Sequence, residues 1–334
     1  MSLPPRPYDN RPPTGVRAKP VINLNIEYTS CNDSVAPACS TRPMLIENMI
    51  NQRNVNINVL EGYDPKSKSV INQHSIYHLY EFESKTRFLD RIPRPRVSRF
   101  TELKTRFLCC RYVLCAIDDV MQKQKPMELM AIRLNGDIYI GANKSMDLQT
   151  DKKTQEAAFG GLNFAMKVTR ESDQKILKKH HSVVKQLRIE NTRNSMSMSI
   201  FVSSVARAFD QRGNVVELKT VGSKVMGKVQ NLSRLKARDW WLRALLSGAD
   251  RIVYGLRMDN MKVNEIHEAQ LTDFTKGHFR FDGAKLFSEI FKIFSTIDKI
   301  IGAEGDMCMV KSDGSTPISV TLTTRESLKR SPFW

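Results

Sequence analysis

The sequence predicts a mixed α/β (α+β) fold, because strand patterns and helix patterns occur together along its 334 residues. Residues 127–142 carry the clearest signal: two strand-like runs flank Asn135-Gly136, the preferred pair for a two-residue type I′ hairpin. Residues 283–301 have apolar side chains at helical spacing. Residues 215–255 fit a strand, a helix with two tryptophans and a second strand. A chain of this length forms about two domains or one large α/β domain.

The N-terminal quarter begins with a segment of unusual composition. Residues 1–20 are rich in proline and basic residues, which predicts a disordered arm. A proline-motif ligand is the less favoured interpretation. Alternating apolar and polar residues then predict strands at 21–28 and 55–60. Residues 76–82 fit either a short strand or a short helix.

Two basic segments and two predicted helices fill the middle of the chain. Residues 101–121 and 152–168 have apolar side chains near helical spacing and predict the helices. The arginine-rich residues 84–100 predict a solvated connection, with RNA contact as an equal alternative. The basic residues 175–188 include two adjacent histidines, and they predict a solvated face first and RNA contact second.

The second half of the chain alternates strands with helices. Asp282 is a suitable N-cap for the helix at 283–301, and Gly302 follows its end. Residues 303–334 are polar and predict a loosely attached tail, which leaves 21–302 as the folded domain. Further strands are predicted at 199–208, 252–256 and 262–266.

Charge is the strongest global signal. The chain has 52 Lys and Arg against 35 Asp and Glu, a net charge of +17, which favours a polyanionic partner such as nucleic acid. The alternative is a basic protein with no such partner. No run approaches the ~18 apolar residues of a membrane-spanning helix, and the N-terminus lacks the apolar core of a signal peptide. The cysteines show no metal-ligand spacing and predict reduced thiols in the cytosol or nucleus.

Glu217 and Lys219 form half of a nuclease-like site. They are two apart on a predicted strand, so their side chains point to the same face. In metal-dependent nucleases such a carboxylate holds a divalent ion, and further carboxylates must converge on it. The preceding strand supplies none before Asp210 and adds Arg207, which would repel a divalent ion at ~6 Å by about 5 kcal/mol. A residual enzyme would have to borrow acids such as Asp210 or Glu156.

Several blocks together strongly resemble one protein family. The residues Val-Glu-Leu-Lys-Thr at 216–220, Arg-Asp-Trp-Trp at 238–241 and the strand at 252–257 resemble the DXO family. The hairpin at 127–141 and Gly-Leu-Asn-Phe at 161–164 resemble it as well. Its members are RNA 5′-end decapping and pyrophosphohydrolase enzymes, and many are 5′–3′ exoribonucleases. The resemblance implies a single DXO-like domain, with a large twisted mixed β-sheet flanked by helices and a cleft shaped for an RNA 5′ end.

The resemblance also locates the family's active site, and most of its acids are absent here. The metal-binding glutamate of the Gly-x-x-Phe-Glu motif is replaced by Ala165. Both acids of the Glu-x-Asp motif are lost, at Val205 and Arg207. The Glu-x-Lys motif survives as Glu217 and Lys219. We therefore expect these two residues to be vestigial, with no catalytic residue, no bound metal and no cofactor.

Two further positions of the family's active site fall on or next to arginines in this sequence. The glutamine that follows the aromatic pair is Arg243 here, and an upstream arginine falls at or near Cys110 or Arg111. The residues expected to contact RNA phosphates are Arg207, Lys219, Lys224, Lys228, Arg234, Lys236, Arg238 and Arg243. The tryptophans Trp240 and Trp241 sit among leucines at helical spacing, which favours a core position over base stacking.

Three functions are consistent with these residues. The first is a catalytically inactive RNA-binding protein that shields RNA 5′ ends. The second is a residually active decapping or exoribonuclease enzyme, which alone would need Mg²⁺ or Mn²⁺. The third is a scaffold for protein partners. Resemblance to a degenerate fly germline homologue in the DXO family implies a nuclear role on piRNA precursor transcripts, beside the chromatin proteins Rhino and Deadlock, and no membrane association.

Overall fold

The computed structural model describes residues 16–31, 34–37, 42–64, 76–92, 100–142, 152–170, 179–276, 278–314 and 317–323. Its strands are Val16–Cys31 (β1), Ser34–Pro37 (β2), Met44–Leu45 (β3), Arg53–Asn58 (β4), Thr101–Glu102 (β5), Phe107–Cys110 (β6), Met127–Leu134 (β7), Asp137–Ala142 (β8), Thr169–Arg170 (β9), Lys179–Asn191 (β10), Met196–Val205 (β11), Val216–Gly222 (β12), Arg251–Arg257 (β13), Lys262–Gln270 (β14), Met307–Ser312 (β15) and Ser319–Thr323 (β16). Its α-helices are Ile76–Thr86 (α1), Arg111–Lys123 (α2), Lys152–Val168 (α3), Arg234–Ser247 (α4), Thr272–Thr275 (α5) and Ala284–Ile300 (α6). None of these described helices is long and apolar enough to cross a membrane.

A large mixed sheet forms the centre of the molecule, as predicted. Its strand order is β16-β15-β7-β8-β6-β11-β10-β1-β2, and β5 also pairs with β11. β6 runs parallel to both neighbours, β8 and β11, whereas the other pairs along this path are antiparallel. A smaller sheet has the order β12-β13-β14-β4, and its β12 and β13 are parallel. The mixed α/β fold class is confirmed.

Helices cover both faces of the large sheet. Helices α2, α4 and α6 pack on one face, where Trp240 and Trp241 are buried as expected. Helix α1 packs on the other face with its buried Leu79 and Phe82. The hairpin between β7 and β8 turns at Asn135 and Gly136, which both have positive φ, as a type I′ turn requires.

Gly255 lets helix α3 lie close to the small sheet. A Cβ at this position of β13 would meet Phe164 Cε2 at 2.8 Å and Val263 Cγ1 at 2.7 Å. Such distances are too short for ordinary packing, so only glycine allows the aromatic ring of α3 to rest on the strand. This contact fixes the helix that forms one wall of the cleft described below.

The chain termini differ from the sequence prediction. Residues 303–334 were predicted to be a polar tail, but β15 and β16 within them are strands of the large sheet. Met307 and Cys308 of β15 are both buried, because successive side chains point to opposite faces of the sheet and both faces are covered at this strand. Of the predicted arm, residues 1–15 lie outside the described residues, and 16–20 begin β1 instead.

Two internal predictions were also wrong. The helix expected at 101–121 begins only at Arg111, because Phe107–Cys110 form a strand paired with β8 and β11. The basic residues 175–188 were expected to form a solvated face, but 179–188 belong to strand β10, and 171–178 lie outside the described residues. His181 of that strand is buried, with its Nε2 2.8 Å from Glu27 Oε2.

Candidate nucleic-acid cleft

A cleft of about 360 Å³ opens where the two sheets meet. The end of β11 and strand β12 provide one side, and α3 provides Ala157, Ala158 and Gly161. Six cationic side chains line the cleft: Arg111, Arg207, Lys219, Lys236, Arg243 and Arg257. Glu217 is the single carboxylate among the lining residues.

Glu217 lies at the bottom of the cleft and already holds two cations. Its Oε1 accepts a hydrogen bond from Lys219 Nζ, and its Oε2 accepts one from Arg111 Nη1, each at 2.8 Å. Burial by itself would raise the pKa of the Glu217 carboxyl, but Arg111 and Lys219 outweigh it and hold that pKa well below its usual range. Glu217 therefore stays ionised, and both of its oxygens are occupied.

Arg111 reaches Glu217 because of the strand that precedes it. Cys110, the last residue of β6, pairs with Ser203 of β11, so helix α2 begins beside the end of β11. The Arg111 guanidinium also donates to the Arg243 backbone carbonyl at 3.2 Å. Residue patterns alone missed this contact, and only the family resemblance pointed to Cys110 or Arg111.

Helix α4 contributes further charged side chains around the cleft. Arg243 Nε donates to Asp239 Oδ1 at 2.7 Å, one helical turn earlier. Burial by itself would raise the pKa of Asp239, but Arg243 and Lys219 outweigh it and lower that pKa. Burial also lowers the pKa of Lys219, although Glu217 opposes this effect. Lys219 and Arg243 are thus both held in place by carboxylates.

Three cleft cations form no salt bridge with any carboxylate among the described residues. Arg207 and Lys236 are exposed, and Arg257 is half-buried at the end of β13. Across the described ranges, none of the three takes part in an ion pair. The sequence did not single out Arg257; its position in the register, opposite Gly222 of β12, brings it to the cleft.

The remaining residues predicted to contact RNA lie outside the cleft lining. Lys224 and Lys228 are exposed on the loop that follows β12. The Arg234 guanidinium lies over the Phe281 ring, 5.1 Å from its centroid. Arg238 instead points inward and binds Asp118, with Nη2 2.8 Å from Oδ1 and Nε 3.1 Å from Oδ2. The structure thus places Arg207, Lys219, Lys236 and Arg243 together and separates the other four.

The residues that the family resemblance places at the metal position do not fit a divalent ion. Val205 and Arg207 line the cleft beside Glu217, and Ala165 is buried one turn beyond Gly161 on α3. A divalent ion needs several converging carboxylates, whereas these positions offer two apolar side chains and a cation. Among the described residues, no group of three or more His, Cys, Asp or Glu side chains is placed to bind a metal.

The two acids that a residual enzyme would borrow lie elsewhere. Asp210 Oδ1 accepts from the backbone N–H groups of Arg212 and Asn214, at 2.9 and 2.8 Å, and so closes the turn before β12. Glu156 faces Lys152 on the surface of α3, at 3.8 Å. Neither carboxylate lines the cleft.

The family model that matches this chain describes a nuclease of the PD-(D/E)XK class. A family model described as RAI1 like PD-(D/E)XK nuclease matches residues 28–333, so the chain belongs to this DXO/Rai1-like decapping nuclease family. The predicted DXO-family resemblance is confirmed. The decapping nuclease dom-3 of Caenorhabditis elegans is 24% identical over 230 residues. That match covers 61% of this chain and 56% of dom-3, little more than half of the relative's length.

Solved structures share the fold at low sequence identity. S. pombe Rai1 has a TM-score of 0.66 at 14% identity, over 95% of this chain and 98% of its own. Candida albicans Rai1, solved in complex with pU5-Mn²⁺, has a TM-score of 0.64 at 13% identity, over 94% and 93%. K. lactis Dxo1, solved in complex with manganese, has a TM-score of 0.59 at 13% identity, over 94% and 92%.

Proposed function

We propose that this chain is a catalytically inactive member of its family that holds RNA 5′ ends in the cleft and shields them from decapping and degradation. The observation that carries the proposal is the charge of the cleft: six cationic side chains surround one carboxylate, and that carboxylate is already bound to Arg111 and Lys219. Such a surface attracts phosphates.

The substituted acids favour binding over hydrolysis. Hydrolysis in this class needs carboxylates that converge on metal ions, and Ala165, Val205 and Arg207 stand at those positions. Each lost carboxylate also removes a charge that would repel the RNA backbone. Arg207 goes further, because it replaces a repulsive charge with an attractive one.

An activity assay separates this proposal from a residual enzyme. Purified protein is incubated with capped and triphosphorylated RNA in the presence of Mn²⁺ or Mg²⁺. The proposal predicts that the RNA 5′ end is unchanged. Metal-dependent product that disappears in Glu217→Ala would show that the chain is an enzyme instead.

A protection assay tests the binding role directly. RNA with a 5′-terminal phosphate is mixed with the protein and then treated with an active 5′–3′ exoribonuclease. The wild-type chain is expected to slow degradation, and Arg207→Ala combined with Lys236→Ala to lose most of that protection. Arg193→Ala is the matched control, because Arg193 is an exposed arginine in the β10–β11 turn, outside the cleft.

We further propose a nuclear role on piRNA precursor transcripts in the germline, protecting them from processing and termination. Its support is the resemblance of the substituted motifs to a degenerate fly germline homologue, which also suggests the chromatin proteins Rhino and Deadlock as partners. Co-purification of these partners with the tagged chain tests this role. A chain that recovers the partners but binds no RNA, even at low salt, would be a protein scaffold.

A further inference from the structure

We infer that fixed cations replace the divalent ion in this cleft, so that it binds the terminal phosphate of an RNA without any metal. The inference rests on the proposed function and concerns how that same site recognises its ligand. Its starting point is the disagreement between the family's metal position and the residues that occupy it here.

The two cations on Glu217 occupy both of its carboxylate oxygens. Lys219 Nζ and Arg111 Nη1 each lie 2.8 Å from a different oxygen of the carboxylate. Together they carry two positive charges, the same charge as a divalent ion. A metal could bind Glu217 only by displacing one of these charge-assisted hydrogen bonds, and the Val205 and Ala165 side chains offer it no oxygen in return.

The charge that remains suits a terminal phosphate. The six lining cations are balanced by two carboxylates, Glu217 in the cleft and Asp239 beside Arg243. This leaves an excess of four positive charges. A terminal phosphate monoester carries a charge of about −1.5 to −2 at neutral pH, against about −1 for each internal phosphodiester. Arg207 and Lys236, which form no salt bridge within the described ranges, are therefore expected to favour the 5′ end of an RNA over its interior.

Arginine adds geometric preference to this charge. A guanidinium presents a planar fork of N–H donors that matches two phosphate oxygens at once. Arg207 and Arg257 both line the cleft. Arg207 lies two residues after the end of β11, and Arg257 is the last residue of β13. Either guanidinium can therefore donate to a terminal phosphate in the cleft without a bridging ion.

The test compares two RNAs of the same single-stranded sequence, one with a 5′-phosphate and one with a 5′-hydroxyl. Fluorescence anisotropy measures the affinity of the full chain for each, once in excess EDTA and once with Mn²⁺. We expect a preference for the 5′-phosphate of about tenfold, equal in the two conditions. A preference that is present only with Mn²⁺ would overturn the inference while leaving 5′-end binding intact. RNA binding without any 5′ preference, or no binding, would overturn the proposed function as well.

Two further measurements protect the test from trivial outcomes. Arg207→Ala is expected to reduce the 5′-phosphate preference several-fold. Arg193 precedes the far end of β11, a strand of 10 residues that is about 30 Å long, and Arg193→Ala is expected to leave the preference unchanged. Electron paramagnetic resonance of free Mn²⁺ is expected to show no loss of signal when the protein is added. A stoichiometric loss that Glu217→Gln abolishes would show that a metal still binds Glu217.

Discussion

The buried carboxylates of Asp118 and Glu217 both bind arginine, but they bind different numbers of cations. Asp118 of α2 meets one guanidinium, that of Arg238, and both oxygens accept from it. Glu217 of β12 meets two cations, Arg111 and Lys219. Both carboxylates are less than a tenth exposed.

The difference separates a neutral ion pair from a cluster with excess positive charge. The Asp118–Arg238 pair is neutral, and the Arg238 guanidinium also lies over the Trp241 and Phe281 rings, so nothing is left for a ligand. The Glu217 cluster keeps an excess positive charge that faces a cleft. Similar residue types thus form a neutral pair in one place and a positively charged cluster in the other, and the ratio of cations to carboxylates makes the difference.

The largest expected effect lies in the neutral pair. Asp118→Ala leaves the Arg238 guanidinium buried without its counter-ion, which is expected to cost about 3–5 kcal/mol of the free energy of unfolding. The neighbouring Asp119 is a half-exposed partner of Lys123, so Asp119→Ala is expected to cost less than about 1 kcal/mol. Urea unfolding measures both, and equal losses would contradict the structural role assigned to Asp118.

A smaller loss of stability, with a characteristic pH dependence, is expected at the charged cluster. Glu217→Gln is expected to cost about 2 kcal/mol at neutral pH, because two cations lose their counter-charge in a cleft that water still reaches. The folded pKa of Glu217 lies below its unfolded value of about 4.3, so the stabilisation is complete above about pH 5 and is lost as the pH falls. Unfolding of wild type and variant at several pH values measures the difference in their unfolding free energies. A difference that stays constant as the pH falls would exclude the Glu217 charge as its cause.

The third effect is on RNA binding alone. Arg207→Ala is expected to weaken binding by about tenfold and to reduce the slope of log affinity against log salt by about 0.7, as one phosphate contact is lost. Its fold stability is expected to change little, because Arg207 has no ion pair within the described part of the chain. A salt titration against Arg193→Ala measures the effect. Unchanged slopes would remove Arg207 from the RNA surface.

The smallest effect is expected outside the cleft. Lys224→Ala and Lys228→Ala each remove an exposed lysine from the loop after β12, where water screens its charge. Each is expected to weaken RNA binding by about twofold at low salt, with the 5′-phosphate preference retained. A loss of that preference would move the 5′-end site from the cleft to this loop.

Local signals in the sequence predicted local structure well. The Asn135-Gly136 hairpin, the helix with Trp240 and Trp241 and strand β13 all formed where the pattern placed them, since turn chemistry and side-chain period act over a few residues. The predictions failed where distant contacts decide. Strands β6 and β15 each join the large sheet through partners far along the chain, and their short or partly polar runs carry no such information.

The site was predictable in its chemistry and less so in its geometry. Glu217 and Lys219 shared a face because a strand has a period of two, and this held. Arg111 and Arg257 reach the cleft only through the register of β6 on β11 and of β12 on β13. Arg238 looked like its neighbours in sequence, and only its contact with Asp118 shows that it faces the interior.

The contact between Arg111 and Glu217 joins residues 106 positions apart, one beside the large sheet and one in the small sheet. Closing so long a loop carries an entropic cost that must be met before the contact is made. The cleft is therefore expected to assemble late in folding, after each sheet has formed around its own core. Changes at this contact should then act mainly on the unfolding rate and leave the folding rate nearly unaltered.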